Sequence, residues 1–194
     1  MTIAINVQKH MTDSSWIRRM FELGIALKNE RGEENVFDLS LGNPVVEPPR
    51  AFHDELEKFI QSHPKGAHRY MPNAGYAFAR QAIAESLYAE TGLKYQKEHI
   101  MMSVGAAGAL NVVIHALCDP GDEVLILSPY FAEYLFYASN HNALPVVVKP
   151  DTSLLPDIED LKSKISPRTK LLILNSPNNP SGVIYPESVI EAIS

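Results

Sequence analysis

Asp119-Pro120-Gly121-Asp122-Glu123-Val124-Leu125-Ile126-Leu127-Ser128-Pro129-Tyr130 is the stretch whose reading decides the fold. Its Pro-Gly pair is turn chemistry, because proline presets one backbone angle and glycine reaches conformations that a Cβ forbids. Glu123–Leu127 follows as a strand whose last four residues are all apolar. Such a run has no polar face to offer water and belongs in a sheet covered on both sides. The same alternation continues outward. Upstream, the apolar run Ile100-Met101-Met102-Ser103-Val104 counts as a first strand, and Gly105-Ala106-Ala107-Gly108 leads into a helix through Leu117. Downstream the pattern predicts a helix over 131–140, a strand over 145–149, a helix over 158–165 and the apolar strand Leu171-Leu172-Ile173-Leu174. Alternation of this kind implies right-handed crossovers and a mainly parallel sheet with helices on both faces, so the expected class is α/β.

Towards the amino terminus, helices are expected over 77–91, stopped by Gly92, and over 51–62. Another begins behind the capping pair Ser14-Ser15 and ends near Arg31-Gly32, with Trp16, Ile17, Met20, Phe21 and Ile25 on its apolar stripe. Val36–Leu39 reads as a short extended piece. The stiff turn Glu47-Pro48-Pro49 marks the passage from an N-terminal segment (1–47) to the main domain (48–194). At the other end, Pro186 fits the first turn of a helix that Ser194 cuts short, and truncation of a longer protein is the expectation.

Composition narrows the function. The chain has 194 residues, 45% hydrophobic and 21% charged, with a net charge of −6 and no long run of one sign. It carries neither a basic stripe for nucleic acid nor a basic membrane face, which favours a small-molecule partner. Cys118 is the only cysteine, lies in an apolar run, and reads as a structural thiol. Nothing at the start resembles a signal peptide, so the cytoplasm is the expected compartment. His53, His63 and His68 are too loosely spaced for a metal site and read as surface residues.

Four segments carry chemistry. Ser103–Leu110 runs through small residues into a helix, where free N–H groups favour an anion such as phosphate; a plain strand-to-helix turn is the alternative. It lacks the G-x-G-x-x-G spacing of a dinucleotide fingerprint and the Lys-Ser/Thr of a Walker loop. Ser128-Pro129-Tyr130-Phe131 follows a strand at the sheet edge where ligands bind and could offer an aromatic face to a flat heterocycle; aromatics packing a loop are the alternative. Asn175-Ser176-Pro177-Asn178-Asn179-Pro180-Ser181-Gly182 lies at that same edge, with Asn179 as an amide donor and Asn179-Pro180 a candidate cis bond; a plain turn is the alternative. Arg69–Tyr76 is an aromatic and glycine loop that means little alone.

In order and spacing these segments resemble the class I/II, fold-type-I aminotransferases, over about Trp16 to Ser194. The resemblance implies pyridoxal 5'-phosphate as cofactor, a homodimer, and amino-acid and 2-oxo-acid substrates. On it, Gly42 in Leu41-Gly42-Asn43-Pro44 lies beside the substrate carboxylate, and Tyr70 reaches the cofactor phosphate of the neighbouring subunit. Gly105, Ala106 and Ala107 supply the phosphate loop, Phe131 stacks on the pyridine ring, and Asn179 bonds the ring's 3-oxygen. Residues 1–47 become an arm and small-domain segment, and 48–194 the start of the cofactor-binding domain.

The chain departs from the family pattern. Ala106 and Ala107 offer backbone donors only, where some relatives use hydroxyls. The lysine that holds the cofactor and shuttles the α-proton, the aspartate for the pyridine nitrogen and the arginine for the substrate carboxylate are expected beyond Ser194, so no catalytic residue is assigned here. Ser163-Lys164 looks superficially like the family's Ser-Lys pair, but Lys162 and Lys164 read as a solvated helix face. Lyases on the same scaffold, a ligand-sensing regulator, and a non-catalytic binding fragment are the alternatives.

Overall fold

The computed structural model describes residues 3–5, 7, 8, 15–39, 42 and 46–194. The chain divides into two compact units, 1–70 and 71–194. The first unit holds α1 (Ser15–Arg31), a 3-10 turn at Glu33–Asn35 and α2 (Arg50–Ser62). Ser14, the expected cap of α1, and Leu41, Asn43 and Pro44 lie outside the described residues. Lys28 pairs with Asp38 at 3.1 Å, and a Cβ on Gly24 would stand only 2.8 Å from the Asp38 carboxylate, so glycine permits that approach. On α2 the apolar residues Phe52, Leu56, Phe59 and Ile60 share one stripe, and all are exposed.

In the second unit, α3 (Ala77–Thr91) ends at Gly92, whose φ of 72° is the left-handed stop that glycine takes at little cost. Next come α4 (Gly105–Leu117), β1 (Glu123–Leu127), α5 (Glu133–Asn140), β2 (Leu144–Val148), α6 (Ile158–Lys164), β3 (Thr169–Ile173) and α7 (Glu187–Ile193). The sheet order is β2-β1-β3, with both pairings parallel. The α/β expectation holds.

β1 is buried along its whole length, and its side chains alternate between the faces. Val124 and Ile126 pack with Ile114 of α4 and Ala138 of α5. Leu125 and Leu127 pack with Val148, Leu161 of α6 and Tyr185, joined by Val189, Ile190 and Ile193. Burying a side chain the size of Ile126 contributes about 1.5–3 kcal/mol, and β1 does so on both faces.

One expected strand is not there. Ile100–Val104 forms no ladder: the Met102 N–H donates to the Ala74 carbonyl at 3.0 Å, and the only strands among the described residues are β1, β2 and β3. Met101 and Val104 are exposed, so the apolar run lacks the neighbours that would make it a strand.

Candidate functional site

β1 and β3 run parallel, so the loops that follow them open on one edge of the sheet. The turn Asp119–Asp122 joins α4 to β1 directly, and Ile114 packs on Val124 and Ile126. α4 therefore runs antiparallel to β1, and its amino terminus returns to the same carboxyl edge. Ligands in open parallel sheets bind outside this edge.

Gly105 opens α4 with a φ of +64°, a conformation that glycine supplies without strain, and the space where a Cβ would stand is open. Val104 at the cap position contributes no side-chain hydrogen bond. The Gly108 N–H donates to the Val104 carbonyl at 3.2 Å, and the Ser103 hydroxyl donates to the Gly105 carbonyl at 3.1 Å. Ala106 and Ala107 are exposed in the first turn, where backbone donors have no intrahelical acceptor and attract an anion.

Phe131 follows β1 and leaves 39% of its surface open. Its ring is set edge-on to Tyr134 at 5.7 Å and 87°, which fixes it while one face remains available. Burial pushes the Tyr134 phenol above its ordinary range, so the supporting ring stays neutral at physiological pH.

Asn179 follows β3. Its backbone N–H donates to the Asn175 side chain at 2.8 Å, its own side-chain amide has no partner among the described residues, and the bond to Pro180 is cis as expected. Asn178, which sequence reasoning passed over, is 5% exposed and reaches across to the first loop, donating to the Pro129 carbonyl at 3.0 Å. The signal was weak: asparagine in a Pro- and Gly-rich turn often hydrogen-bonds nearby backbone, but nothing local shows that Asn178 reaches the loop after β1.

Residues 34–194 match the model of the family "aminotransferase class I and II". The chain belongs to this family. It is 36% identical over 171 residues to the probable aspartate/prephenate aminotransferase of Thermus aquaticus, covering 87% of this chain and 44% of that protein. It is 38% identical over 161 residues to a bifunctional aspartate aminotransferase and glutamate/aspartate-prephenate aminotransferase of Petunia hybrida, covering 82% and 33%. Among solved structures, an aminotransferase from Eubacterium rectale superposes with a TM-score of 0.90 at 34% identity, covering 100% of this chain and 50% of that one. The Thermus thermophilus aspartate aminotransferase with maleate gives 0.80 at 32% identity, covering 91% and 46%. The chain thus spans less than half the length of the curated aminotransferases it matches.

Two of the site residues read from the resemblance to the aminotransferases belong to the other unit. Tyr70 is fully exposed, and Gly42 has nothing within 4 Å of where a Cβ would stand. Of the two candidate lysines, Lys162 is exposed as expected. Lys164 corrects the expectation of a solvated face: it is half-buried, and its ammonium donates to the Val147 carbonyl at 2.7 Å and to Asp160. Its stem reaches inward because α6 packs on β2 just beneath it. His53, His63 and His68 are exposed. Cys118 is partly buried against the first core face, and burial followed by the nearby Asp122 charge raises its thiol pKa, the environment of an inert thiol.

A cavity of about 290 Å³ opens instead at the amino end of β3, lined by Leu125, Leu161, Ser166, Thr169, Lys170 and Ile193 among others. It contains none of the site residues. The carboxyl edge is the better candidate, because the donors and the aromatic face converge there. Among the described residues no helix is long and apolar enough to cross a membrane, and no cluster of His, Cys, Asp or Glu could hold a metal ion.

Proposed function

We propose that the intact protein is a pyridoxal-phosphate-dependent aminotransferase that moves an amino group between an amino acid and a 2-oxo acid. This chain is the part that cradles the cofactor, without the lysine. The observation that carries the reading is one sheet edge that bears, among the described residues, a helix start without a side-chain cap, an exposed aromatic face and an amide without a partner. Those three features fit a phosphate, a flat ring and a ring oxygen respectively. Members of this family generally use pyridoxal phosphate. When bound, it supplies an electron sink to the substrate's α-carbon.

The residues present would divide the binding work. The Ala106 and Ala107 N–H groups donate to the phosphate, and Gly105 leaves room for it. Phe131 covers one ring face and keeps water off it. Asn179 donates from Nδ2 to the ring's 3-oxygen and favours its ionised form. The Gly42 backbone lies beside the substrate carboxylate, and the Tyr70 hydroxyl reaches the phosphate of the neighbouring subunit, making the intact protein a homodimer. Residues 1–47 are its arm and small-domain segment and 48–194 the start of its cofactor-binding domain, and the cytoplasm is its compartment. The lysine, and the aspartate and arginine that accompany it, come from outside these 194 residues; Lys164 is already committed to a carbonyl and a carboxylate.

Offered amino acids and a 2-oxo acid, the protein as the source gene encodes it should exchange the amino group between them, as followed by chromatography of both products. The 194-residue chain alone should give no exchange, and borohydride should trap no site-specific adduct on it. An adduct on Lys164 would sink the assignment of the lysine elsewhere. Elimination products without exchange would move the protein among the lyases of this fold.

A further inference from the structure

The loop after β1 and the loop after β3 are far apart in sequence, and one side chain joins them. An asparagine amide has two N–H donors and one oxygen with two lone pairs. Asn178 uses all four. Its Nδ2 donates to the Pro129 carbonyl at 3.0 Å and to the Tyr185 hydroxyl at 3.3 Å. Its Oδ1 accepts from the Ser181 N–H at 3.2 Å and the Ser181 hydroxyl at 2.8 Å. Burial raises the pKa of the Tyr185 phenol, the bond from Asn178 opposing it, so the hydroxyl stays neutral and accepts. The Asn178 backbone is held as well, its N–H on the Val183 carbonyl at 2.9 Å and its carbonyl accepting from Gly182 at 2.7 Å.

We propose that Asn178 is a positioning residue that locks the aromatic face of Phe131 and the amide of Asn179 into one rigid unit, aligning a bound ring against both. The inference rests on the proposed function. Pro129 lies two residues before Phe131, and Asn178 is the immediate neighbour of Asn179, so a single buried amide fixes the stems of both. Both heads keep a surface for a ligand: the Asn179 side chain has no partner among the described residues, and the Phe131 ring, held edge-on by Tyr134, is partly open. A backbone held by buried hydrogen bonds, carrying side chains that still have a free surface or donor, is the support that a pre-organised ligand contact requires. Fully satisfied buried polar networks resist distortion, and breaking one member strands the others.

The test uses the protein as the source gene encodes it, freed of cofactor, with pyridoxamine 5'-phosphate as probe because it binds without a bond to lysine. Two readouts are followed: affinity, and the pH titration of the bound probe's 3-hydroxyl by absorbance. Asn179→Ala removes the donor and should raise that hydroxyl's apparent pKa. Asn178→Ala should raise it in the same direction with Asn179 still present, and weaken binding by about tenfold or more. With Asn178 present, Phe131→Ala and Asn179→Ala should be coupled, and in the Asn178→Ala background their losses should multiply independently. Ile126→Ala, which weakens the fold from the core, should leave the titration in place.

A folded Asn178→Ala protein with an unchanged titration and unchanged coupling overturns the positioning role, while a shift in Asn179→Ala still supports the proposed function. If Asn178→Ala does not fold, Tyr185→Phe decides, because it removes one anchor of the amide and leaves the Pro129 bond. A smaller shift in the same direction supports the role, and no shift overturns it. If the probe does not bind, or if neither Phe131→Ala nor Asn179→Ala changes its binding, the proposed function falls and the positioning role falls with it.

Discussion

Glu123 shows how much of a residue's behaviour is set by neighbours distant in sequence. At 6% exposure its carboxylate accepts from the Ser166 hydroxyl at 2.6 Å, from Arg168 Nη2 at 2.9 Å and Nε at 3.2 Å, and from the Thr169 hydroxyl at 3.3 Å. The Ser166 bond above all, then Arg168, hold its pKa below the ordinary glutamate value against the opposing effect of burial. Lys164 does the same for Asp160, helped by the Lys149 backbone. A depressed folded pKa contributes stability above the unfolded value, lost as pH falls through the folded one. Melting temperature should therefore drop as pH falls below about 4, and Glu123→Gln should flatten part of that dependence; superimposable acid profiles would refute the role. The placement of Phe131 after β1 and of Asn179 after β3, both exposed, was legible in the sequence because each lies in a local motif directly behind an apolar strand. Glu123 and Asn178 were not, since their partners lie 45 and 49 residues away, and Lys164 was not, since its bond to the Val147 carbonyl crosses to another element.

At the scale of elements, two helix starts contrast. Asp157 caps α6, its carboxylate accepting from the Glu159 and Asp160 N–H groups at 3.0 Å each. Asp157→Ala should cost about 1 kcal/mol in thermal unfolding, because both donors lose their acceptor. α4 has no such side chain and begins on a left-handed glycine. Gly105→Ala should cost about 1–2 kcal/mol through backbone strain alone, as the space for a methyl is open; an unchanged melt would mean the turn relaxes freely. Helices and strands were legible wherever period and punctuation agreed, as at Gly92 for α3 or Asp119–Asp122 before β1. The run Ile100–Val104 was misread because apolar composition cannot say whether a neighbouring strand exists. Its backbone bond to Ala74 joins two segments that no periodicity connects.

The whole molecule divides unevenly between a double-faced core and a large open apolar surface. Ile126→Ala should cost about 2–5 kcal/mol, since β1 is packed from both sides and cannot collapse into the gap. Phe59→Ala, on the open stripe of α2, should change unfolding by no more than about 0.5 kcal/mol, and a larger loss would mean that stripe is covered in solution. The parallel α/β layout was legible as a whole because alternation is a global pattern, while the two compact units, 1–70 and 71–194, depend on contacts that no single stretch reveals. The sheet order carries one more consequence, in time. β1 meets β2 across the single α5 crossover, but it meets β3 only after the chain has also travelled out through β2 and back through α6. Closing the larger loop comes at greater entropic cost and later. Asn178 and Asn179 follow β3, so this carboxyl edge gains its two amides later than it gains Phe131, and a nascent chain that has made only β1 and β2 carries the aromatic ring without them.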